Sequence, residues 1–299
     1  MTDVTAIIPA YNAEATLADA IVSTLEQTEP PVEVIVVDDG SSDRTAEIGR
    51  SYGAPVRVCS ITNGGVSAAR NQGVAQASTH YVAFLDADDV WRPAKLAAQH
   101  RALAASPCAR VSTTAAERVD RERRRLGSMP ARAHDDQCAA LLMGSMVSGQ
   151  VSSGLVERAL FSEVGGFRQE LSQCADWDLW LRLSLRTPFA VVPEPLLEYR
   201  VTGSNMSNDV ELLERDTFAV LDRFFAGADS LPYRRLRRRV YANHWMILAG
   251  SYNHAGRQRD AIRCGLRAMQ KHPASLARIA TTPLRQLTGA RAGAMGETR

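Results

Sequence analysis

Short apolar runs alternate with amphipathic segments through the first part of the chain. Four runs have the length and the β-branched residues of buried strands: VTAIIPA (4–10), VEVIVV (32–37), VRVCSI (56–61) and YVAFLD (81–86). Helical patterns lie between them in three segments: 13–28, 43–53 and 66–77. This β-α-β-α-β-α-β order predicts an α/β fold with a mostly parallel, Rossmann-like sheet that helices flank on both faces.

The pattern is less regular after residue 104. ERVDRERRRLG (117–127) mixes Arg with acidic residues and predicts a solvated hairpin or loop. Two helices and an extended segment are predicted to follow: FSEVGGF (161–167), which a Gly-Gly turn ends, DWDLWLRLSLR (176–186) and PFAVVPEPLLEYRV (188–201). The polar loop TGSNMSND (202–209) predicts a boundary between two domains, 1–210 and 211–299.

Helical patterns dominate the C-terminal domain, 211–299. One stretch resembles the tetratricopeptide helix–turn–helix consensus in the spacing of its residues: Trp245, Leu248, Ala249, Tyr252, Gly256, Ala261, Ala268 and Pro273. Only one good copy is found, whereas a solenoid needs about three repeats for stability. We therefore predict a helical extension with a single tetratricopeptide-like hairpin rather than a peptide-binding array.

Length and composition indicate an ordinary globular protein. The chain has 299 residues, and no apolar run approaches the roughly 20 residues that span a bilayer. Its N-terminus, MTDVTAIIPAYN, lacks the basic segment and long apolar core of a signal peptide. The five Cys are widely spaced and form no CxxC pair, which argues against disulfides and zinc. These features predict a cytoplasmic location.

Charge is unevenly distributed between the two predicted domains. Residues 1–210 carry 19 Lys and Arg against 26 Asp and Glu, whereas residues 211–299 carry 16 against 7. The C-terminal excess includes YRRLRRRV (233–240), which is either a solvated helix face or a patch for anionic membrane lipid or a lipid-diphosphate acceptor. No nucleic-acid motif accompanies it, so we predict at most a peripheral contact with the inner face of the membrane.

Carboxylates cluster where two of the predicted strands end. Asp38 and Asp39 follow the second strand, and Asp86, Asp88 and Asp89 follow the fourth. The carboxyl ends of parallel strands meet at one rim, where open α/β sheets bind ligands. Turn formation explains the first pair, and helix capping explains one of the other three. A cluster of three like charges favours a divalent cation bound to phosphates, because hard cations prefer oxygen ligands.

A turn before the third helix is a candidate anion site. Asn63, Gly64 and Gly65 lead into a helix whose early residues include Arg70 and Asn71. Helix N-termini and Arg both favour anions, although Gly-Gly before a helix is common. The chain has no GxGxxG dinucleotide fingerprint, no P-loop and no GxSxG nucleophile elbow, and its six His have no metal-ligand spacing.

Five blocks of the chain together resemble family 2 glycosyltransferases of the GT-A fold. In order, they are IIPAYNAEATLADAIVSTLEQT, VEVIVVDDGSSDRT, NGGVSAARNQG, YVAFLDADD and DWDLWLRL. The resemblance spans residues 4 to about 207. It implies a nucleotide-sugar-binding half (1–104), an acceptor half (105–210) and transfer from a nucleotide-diphospho-sugar, most commonly a UDP-sugar, with inversion. The acceptor would be a carbohydrate or a lipid-linked molecule.

The resemblance also implies roles for individual residues. The nucleotide pocket would be lined by four consecutive residues of the first block: Pro9, Ala10, Tyr11 and Asn12. Asp39 would contact the base edge, with Asp38 beside it. Asp86 would lie near the ribose, with Ala87 next to it. Asp88 would bind Mn²⁺ or Mg²⁺ with support from Asp89, and Asp176 would be the general base.

The chain departs from the family pattern at two positions. Ala175 stands where an acidic residue usually precedes the base, and Thr202 stands where a His often follows Tyr-Arg. Thr202 is a poor substitute for His as a ligand, so metal affinity would be weaker. Arg200 could still neutralise the diphosphate, and the loop 202–209 could act as a lid.

Two other functions are consistent with parts of the sequence. A non-catalytic protein that binds nucleotide sugars, or a scaffold, would fit Ala175 and Thr202, but the set Asp39, Asp88 and Asp176 favours an enzyme. A sugar nucleotidyltransferase would need a Gly-rich basic loop after the first strand, where this chain has PAYNAE (9–14). The donor sugar and the acceptor are not encoded in any readable motif.

Overall fold

A computed structural model describes residues 3–145, 147–148, 150–201 and 209–273. Its internal contacts divide the chain into two compact units. The first lies within residues 1–141 and 145–206, and the second lies within residues 142–144 and 207–299. The loop 202–208, including Thr202, lies outside the described residues, and so do residues 274–299.

The first unit is built on one sheet of nine strands. They are β1 (Val4–Ala10), β2 (Glu33–Asp38), β3 (Val56–Ser60), β4 (Tyr81–Phe84), β5 (Val90–Trp91), β6 (Val111–Val119), β7 (Arg125–Met129), β8 (Leu155–Glu157) and β9 (Phe189–Arg200). Their order is β3-β2-β1-β4-β8-β6-β9-β5, and β7 pairs with β6. Within the described residues, six strands run in one direction and β5, β7 and β8 run in the other.

Helices flank this sheet, and all but the fourth and fifth of those in the described residues are predicted from the sequence. They are α1 (Leu17–Leu25), α2 (Thr45–Ser51), α3 (Val66–Gln76), α4 (Lys95–Ala105), α5 (Gln137–Leu142), α6 (Arg158–Glu163) and α7 (Ala175–Ser184). A 3₁₀ turn, Gln150–Ser153, precedes β8. All seven residues of β1 are buried, since helices pack near it and strands pair on both sides. The predicted α/β fold of GT-A type is confirmed.

A close approach of α3 to β1 requires glycine at position 73. A Cβ atom there would overlap the side chain of Ile7 and contact that of Val37. Ile7 is fully buried, so neither side can move without opening the core. Gly73 therefore sets how deeply α3, which carries Arg70, sits against the sheet.

The later part of the first unit also follows its predictions. β6 and β7 form the predicted hairpin around Arg123, whose φ is +62°. The predicted extended segment is β9, which pairs with β6 in parallel. Its register shifts where Pro193 and Pro195 interrupt the ladder, because proline has no amide hydrogen to donate. The predicted Gly-Gly turn ends α6, with positive φ at Gly165 and Gly166.

Strand order creates a crevice at the carboxyl end of β1. The chain runs outward from β1 to β2 and β3, then returns to place β4 on the other side of β1. At such a switch point the loops after β1 and β4 diverge, which leaves an opening that ligands occupy in open α/β sheets. The residues after β1 begin at Tyr11, and the acidic loop begins two positions after β4, at Asp86.

The second unit is helical, as predicted. It contains α8 (Val210–Ala226), a 3₁₀ helix (Ala228–Leu236), α9 (Arg237–His254) and α10 (Gln258–Lys271). The predicted hairpin is formed by α9 and α10, which a turn at Gly256 joins. Its consensus residues form a core: Trp245, Leu248, Tyr252 and Ala268 pack together with Cys264. In the described residues, no helix is both long and apolar enough to cross a bilayer.

Candidate active site

The acidic loop after β4 is the centre of the site. Asp86 and Asp88 are partly buried and Asp89 is fully buried. The loop folds back on itself, since the Asp89 amide donates to the Asp86 carbonyl over 3.0 Å. The Asp86 amide donates to the hydroxyl of Ser152, on the 3₁₀ turn, over 3.1 Å. These bonds fix the backbone of the loop at the rim of the sheet.

Arg70 extends from α3 to this loop. Its guanidinium pairs with Asp86 at 2.5 Å and stacks over the Phe167 ring at 5.2 Å. Arg70 is 7% exposed, and among the described residues its Nε atom has no hydrogen-bond partner. The buried hydroxyl of Ser67, one turn earlier on α3, also lacks a partner among the described residues. Buried polar groups are rarely left without a partner, so both groups require an explanation beyond the contacts of the described residues.

Burial and mutual repulsion make the acidic loop costly to ionise. Burial, with the charge of Asp86, raises the pKa of Asp88 to about 6. Burial, with the charges of Asp88 and Asp86, raises the pKa of Asp89 well above its ordinary value. The Oδ1 atom of Asp89 accepts from the Arg200 amide over 2.9 Å, while Oδ2 has no partner among the described residues. A bound cation would relieve this repulsion.

Asp39 and Asp38 organise the neighbouring loops. The carboxylate of Asp39 accepts from the amides of Gly64 and Gly65 over 2.7 and 2.8 Å. Asp38 accepts from the Ser41 amide over 3.0 Å. Asp39 thus ties the end of β2 to the turn before α3. Each Asp39 oxygen keeps a second lone pair for a ligand.

The residues after β1 continue this rim. Pro9 and Ala10 are buried in the strand, whereas Tyr11 is 55% exposed. Asn12 has a φ of +47°, a conformation that Asn tolerates better than most residues. Its amide donates to the Ser41 hydroxyl over 3.0 Å, and its side chain accepts from an amide in the same loop. The exposed Tyr11 ring is available to a flat ligand such as a nucleobase.

Asp176 lies in the first turn of α7 and is 8% exposed. Its carboxylate accepts from the Trp177 amide over 2.7 Å. Burial raises the pKa of Asp176, the charge of Arg70 opposes this rise, and the charge of Asp86 adds to it. The charges of Arg70 and Asp86 thus both act on Asp176.

Tyr199 on β9 is influenced by carboxylates from two elements. Burial raises the pKa of its phenol, and four negative charges raise it further: those of Asp89, Asp86, Asp88 and Asp176. Asp89 and Asp176 are 87 positions apart in the sequence, yet the charges of both act on this phenol.

Two other predicted site residues are held by protein contacts. The Arg200 guanidinium is 5% exposed and donates to Asp19 of α1 over 2.9 Å, while its Nε has no partner among the described residues. The side-chain amide of Asn71 donates to and accepts from the backbone of Phe167, over 2.8 and 2.9 Å. Asn71 therefore links α3 to the segment before α7. Ala175 is buried at the start of α7.

Sequence reasoning missed several residues of the site. Ser67 could have been found, because it lies three positions before Arg70 and so on the same helix face. Asp19 is 181 positions from Arg200, Ser152 is 66 positions from Asp86, and Tyr199 is more than 100 positions from the acidic loop. No local pattern predicts such contacts.

The protein side chains at this site could supply only part of the ligand shell of a cation. Among the residues that the structure describes, no group of three or more His, Cys, Asp or Glu side chains is arranged to bind a metal ion. Mg²⁺ and Mn²⁺ are often held by one or two carboxylates, with substrate phosphates and waters completing the shell. The raised pKa of Asp88 and the unpaired Oδ2 of Asp89 fit that arrangement.

Comparison with known proteins identifies the family. A model of glycosyl transferase family 2 matches residues 5–154, which include β1 to β4, the acidic loop and the 3₁₀ turn. The chain belongs to glycosyl transferase family 2. The prediction made from the five sequence blocks is thereby confirmed.

Similar curated proteins are also described as glycosyltransferases. An uncharacterized glycosyltransferase of Rickettsia prowazekii is 29% identical over 211 residues, which cover 69% of this chain and 66% of that protein. A putative teichuronic acid biosynthesis glycosyltransferase of Bacillus subtilis, TuaG, is 38% identical over 110 residues, 36% of this chain and 44% of that one. The matched segments thus span 66% or less of these relatives.

Solved structures of Staphylococcus aureus TarS share the fold. TarS in complex with UDP-GlcNAc has a TM-score of 0.60 and 17% identity, over 90% of this chain and 92% of the TarS chain. TarS in complex with UDP has a TM-score of 0.58 and 17% identity, over 93% and 92%. At this identity the likeness establishes the fold alone.

Proposed function

We propose that this protein is an inverting glycosyltransferase that moves a hexosyl group from a nucleotide-diphospho-sugar to an acceptor hydroxyl. The observation that carries the proposal is the acidic loop after β4, at the switch point of the sheet, where Asp86 pairs with Arg70 at 2.5 Å. The charges of Asp88 and Asp176 act on the same residue, Tyr199, as that of Asp86, and the charge of Arg70 suits a phosphate. Membership of family 2 and the ligands in TarS support a UDP-sugar as the donor.

The rim is suited to the nucleotide. Tyr11 offers an exposed ring for the base, and Asp39 offers carboxylate lone pairs to its edge. Asp86 and Ala87, at the end of β4, would contact the ribose. Arg70 would bind the diphosphate with its free Nε–H, and Ser67 would donate a hydrogen bond beside it.

A divalent cation would bind at Asp88, with Asp89 holding the loop beneath it. When bound, the cation would stabilise the negative charge that develops on the leaving nucleoside diphosphate. Asp88 contributes the partly exposed carboxylate, and Asp89 is anchored by the Arg200 amide. Arg200 itself is paired with Asp19, so its charge supports the loop from beneath and reaches the diphosphate only as a long-range field.

Asp176 would act as the general base. Its carboxylate must be ionised to accept the proton of the acceptor hydroxyl, and burial makes it a stronger base than an exposed Asp. The charge of Arg70 opposes this rise and so favours the ionised form of the base. The attacking oxygen would displace the nucleotide directly from the opposite face of the sugar. No enzyme nucleophile is involved, so the anomeric centre is inverted.

The test is Asp176→Asn, assayed with UDP-sugars and Mn²⁺ or Mg²⁺. We expect UDP binding within about threefold of the wild type by calorimetry, and a loss of turnover of about 10³-fold or more, in line with removal of a general base. Asp178→Asn is the matched control on the same helix. Asp178 pairs with Arg168 and Arg182, so this variant should melt earlier but retain the turnover of the folded protein.

A non-catalytic protein that binds nucleotide sugars is the alternative, and Ala175 favours it, since an acidic residue usually precedes the base. A wild-type protein that binds UDP-sugars but neither transfers nor hydrolyses them would support this alternative. Near-wild-type turnover in Asp176→Asn would contradict the role of the base. The acceptor we propose is a carbohydrate chain or a lipid-linked glycan, consistent with the polysaccharide context of TuaG.

A further inference from the structure

Ser152 lies beneath the acidic loop and is fully buried. It belongs to the 3₁₀ turn Gln150–Ser153, which follows the acidic loop by about 60 positions in the sequence. Its hydroxyl oxygen accepts from the Asp86 amide over 3.1 Å. Since that lone pair is used, the hydroxyl hydrogen remains available to a nearby acceptor.

The backbone of this turn is clamped from the other side. The indole of Trp91 donates to the Ser152 carbonyl over 2.9 Å. The side-chain amide of Gln99 donates to the Ser153 carbonyl over 2.9 Å and to the Ser112 carbonyl over 3.1 Å. Both donors are buried, and buried hydrogen bonds are expensive to break without replacement. The turn therefore has little freedom to move.

A buried lysine completes the clamp. Lys95 has no exposed surface. Its amine donates to the side-chain oxygen Oε1 of Gln99 over 2.9 Å and lies 4.1 Å from the Trp91 ring centroid. It thereby orients the two side chains that hold the turn. The order of contact is Lys95, then Gln99 and Trp91, then the turn, and finally the acidic loop. The side chains of Lys95, Gln99 and Trp91, which make these contacts, are buried.

We propose that Ser152 is a positioning residue, which fixes the acidic loop in the geometry that binds the diphosphate-linked cation and donor. This role rests on the proposed glycosyltransferase function and adds to it a residue that does not touch the ligand. A loop carrying three like charges would otherwise spread apart when no ligand is bound. Ser152 opposes this by holding the backbone of Asp86.

The experiment compares Ser152→Ala with Ser153→Ala. Both serines are fully buried and adjacent, but the Ser153 hydroxyl donates only within its own turn, to the Gln150 carbonyl over 3.0 Å. Titration calorimetry with UDP and Mn²⁺, and steady-state kinetics with the donor, are the measurements. We expect Ser152→Ala to weaken UDP–Mn²⁺ binding and raise the donor KM about tenfold, with kcat changed less than threefold. Ser153→Ala should stay within twofold in both.

Ser152→Cys provides a second variant if Ser152→Ala does not fold. It keeps the side chain's shape and replaces the hydroxyl by a weak hydrogen-bonding group, so it should weaken binding by an intermediate factor. Equal donor affinity in the Ser152 variants and in Ser153→Ala would overturn the role of Ser152 while leaving the proposed glycosyltransferase function intact. Failure of the wild-type protein to bind any nucleotide sugar would overturn both, so the two failures are distinguishable.

Discussion

At the residue scale, Asp88 is the carboxylate at which we propose that a cation binds. Its pKa of about 6, against an ordinary 3.8, is caused by burial first and by Asp86 second. The folded protein therefore favours the protonated form of Asp88, and its ionised form destabilises the fold. This destabilisation is absent below about pH 4, grows between pH 4 and pH 6, and is fully present above about pH 6. At neutral pH the site is poised to gain stability by binding a positive ion.

The first prediction follows from the destabilising effect of the Asp88 charge on the folded protein. Asp88→Asn should raise Tm at pH 7.5 in the presence of a chelator, because it removes a charge whose burial costs at most about 3 kcal/mol. The gain should vanish near pH 4, and Mn²⁺ should no longer stabilise the variant in the presence of UDP. Differential scanning fluorimetry checks each point. Asp135→Asn, an exposed control, should leave Tm unchanged, and an Asp88→Asn protein less stable than the wild type would contradict the argument.

Arg70 sets the pH range of the proposed base. Burial raises the pKa of Asp176, Arg70 lowers it, Asp86 raises it, and the phenol of Tyr199 faces the same charges. A base with a raised pKa is ionised above that pKa, so activity is lost as the pH falls through it. Removal of the Arg70 charge should raise this pKa further.

The second prediction is therefore that Arg70→Gln shifts the acid limb of the kcat–pH profile to higher pH. The measurement is kcat against pH at saturating donor, because loss of the Asp86 pair also weakens binding. We expect the limb to move by about one pH unit, the size of effect that a nearby opposite charge has on a carboxyl. Arg168→Gln, which removes a partner of Asp178 instead, should leave the limb in place. An unmoved limb in Arg70→Gln would show that Asp176 is not the titrating base.

At the scale of elements, the packing of α3 on β1 controls the position of Arg70. Gly73→Ala would place a methyl group against Ile7, and overpacking of a buried site costs about 1–3 kcal/mol. We expect a loss of that size in urea denaturation, together with weaker UDP binding as α3 is pushed from the sheet. Gly127→Ala, where a Cβ atom meets nothing within 4 Å, is the matched control. Unchanged UDP affinity in a destabilised Gly73→Ala would separate stability from the site.

Elements with a local signal could be predicted, and those made by distant pairing could not. β1 to β4, α1 to α3 and the hairpin of α9 and α10 follow the periodicity of their own residues. β5, β8 and the 3₁₀ turn have only two to four residues each, too few for a period to be read. The same limit applies to the site. Asp86 and Asp88 follow an obvious strand, whereas Ser152 and Tyr199 reach them only through the folded sheet.

At the scale of the whole molecule, positive charge is concentrated on the second unit. Five arginines between positions 234 and 239 are exposed: Arg234, Arg235, Arg237, Arg238 and Arg239. Three of them lie in the first turn of α9, which has no acidic residue. Cations at a helix N-terminus oppose its macrodipole and lower helix stability, so this placement is unfavourable for the fold itself. An anionic partner surface would compensate for that cost.

The last prediction is salt-sensitive binding to anionic lipid. Each Arg near such a surface contributes about 1 kcal/mol, so five together suffice for measurable binding. We expect the protein to sediment with phosphatidylserine vesicles at low salt, to be released at about 0.5 M salt because of screening, and not to bind phosphatidylcholine. The variant Arg238→Gln/Arg239→Gln should bind at least tenfold more weakly, while Arg101→Gln/Arg121→Gln, which removes two exposed charges from the first unit, should bind normally. Equal losses in the two variants would indicate that net charge, rather than this patch, determines the attraction.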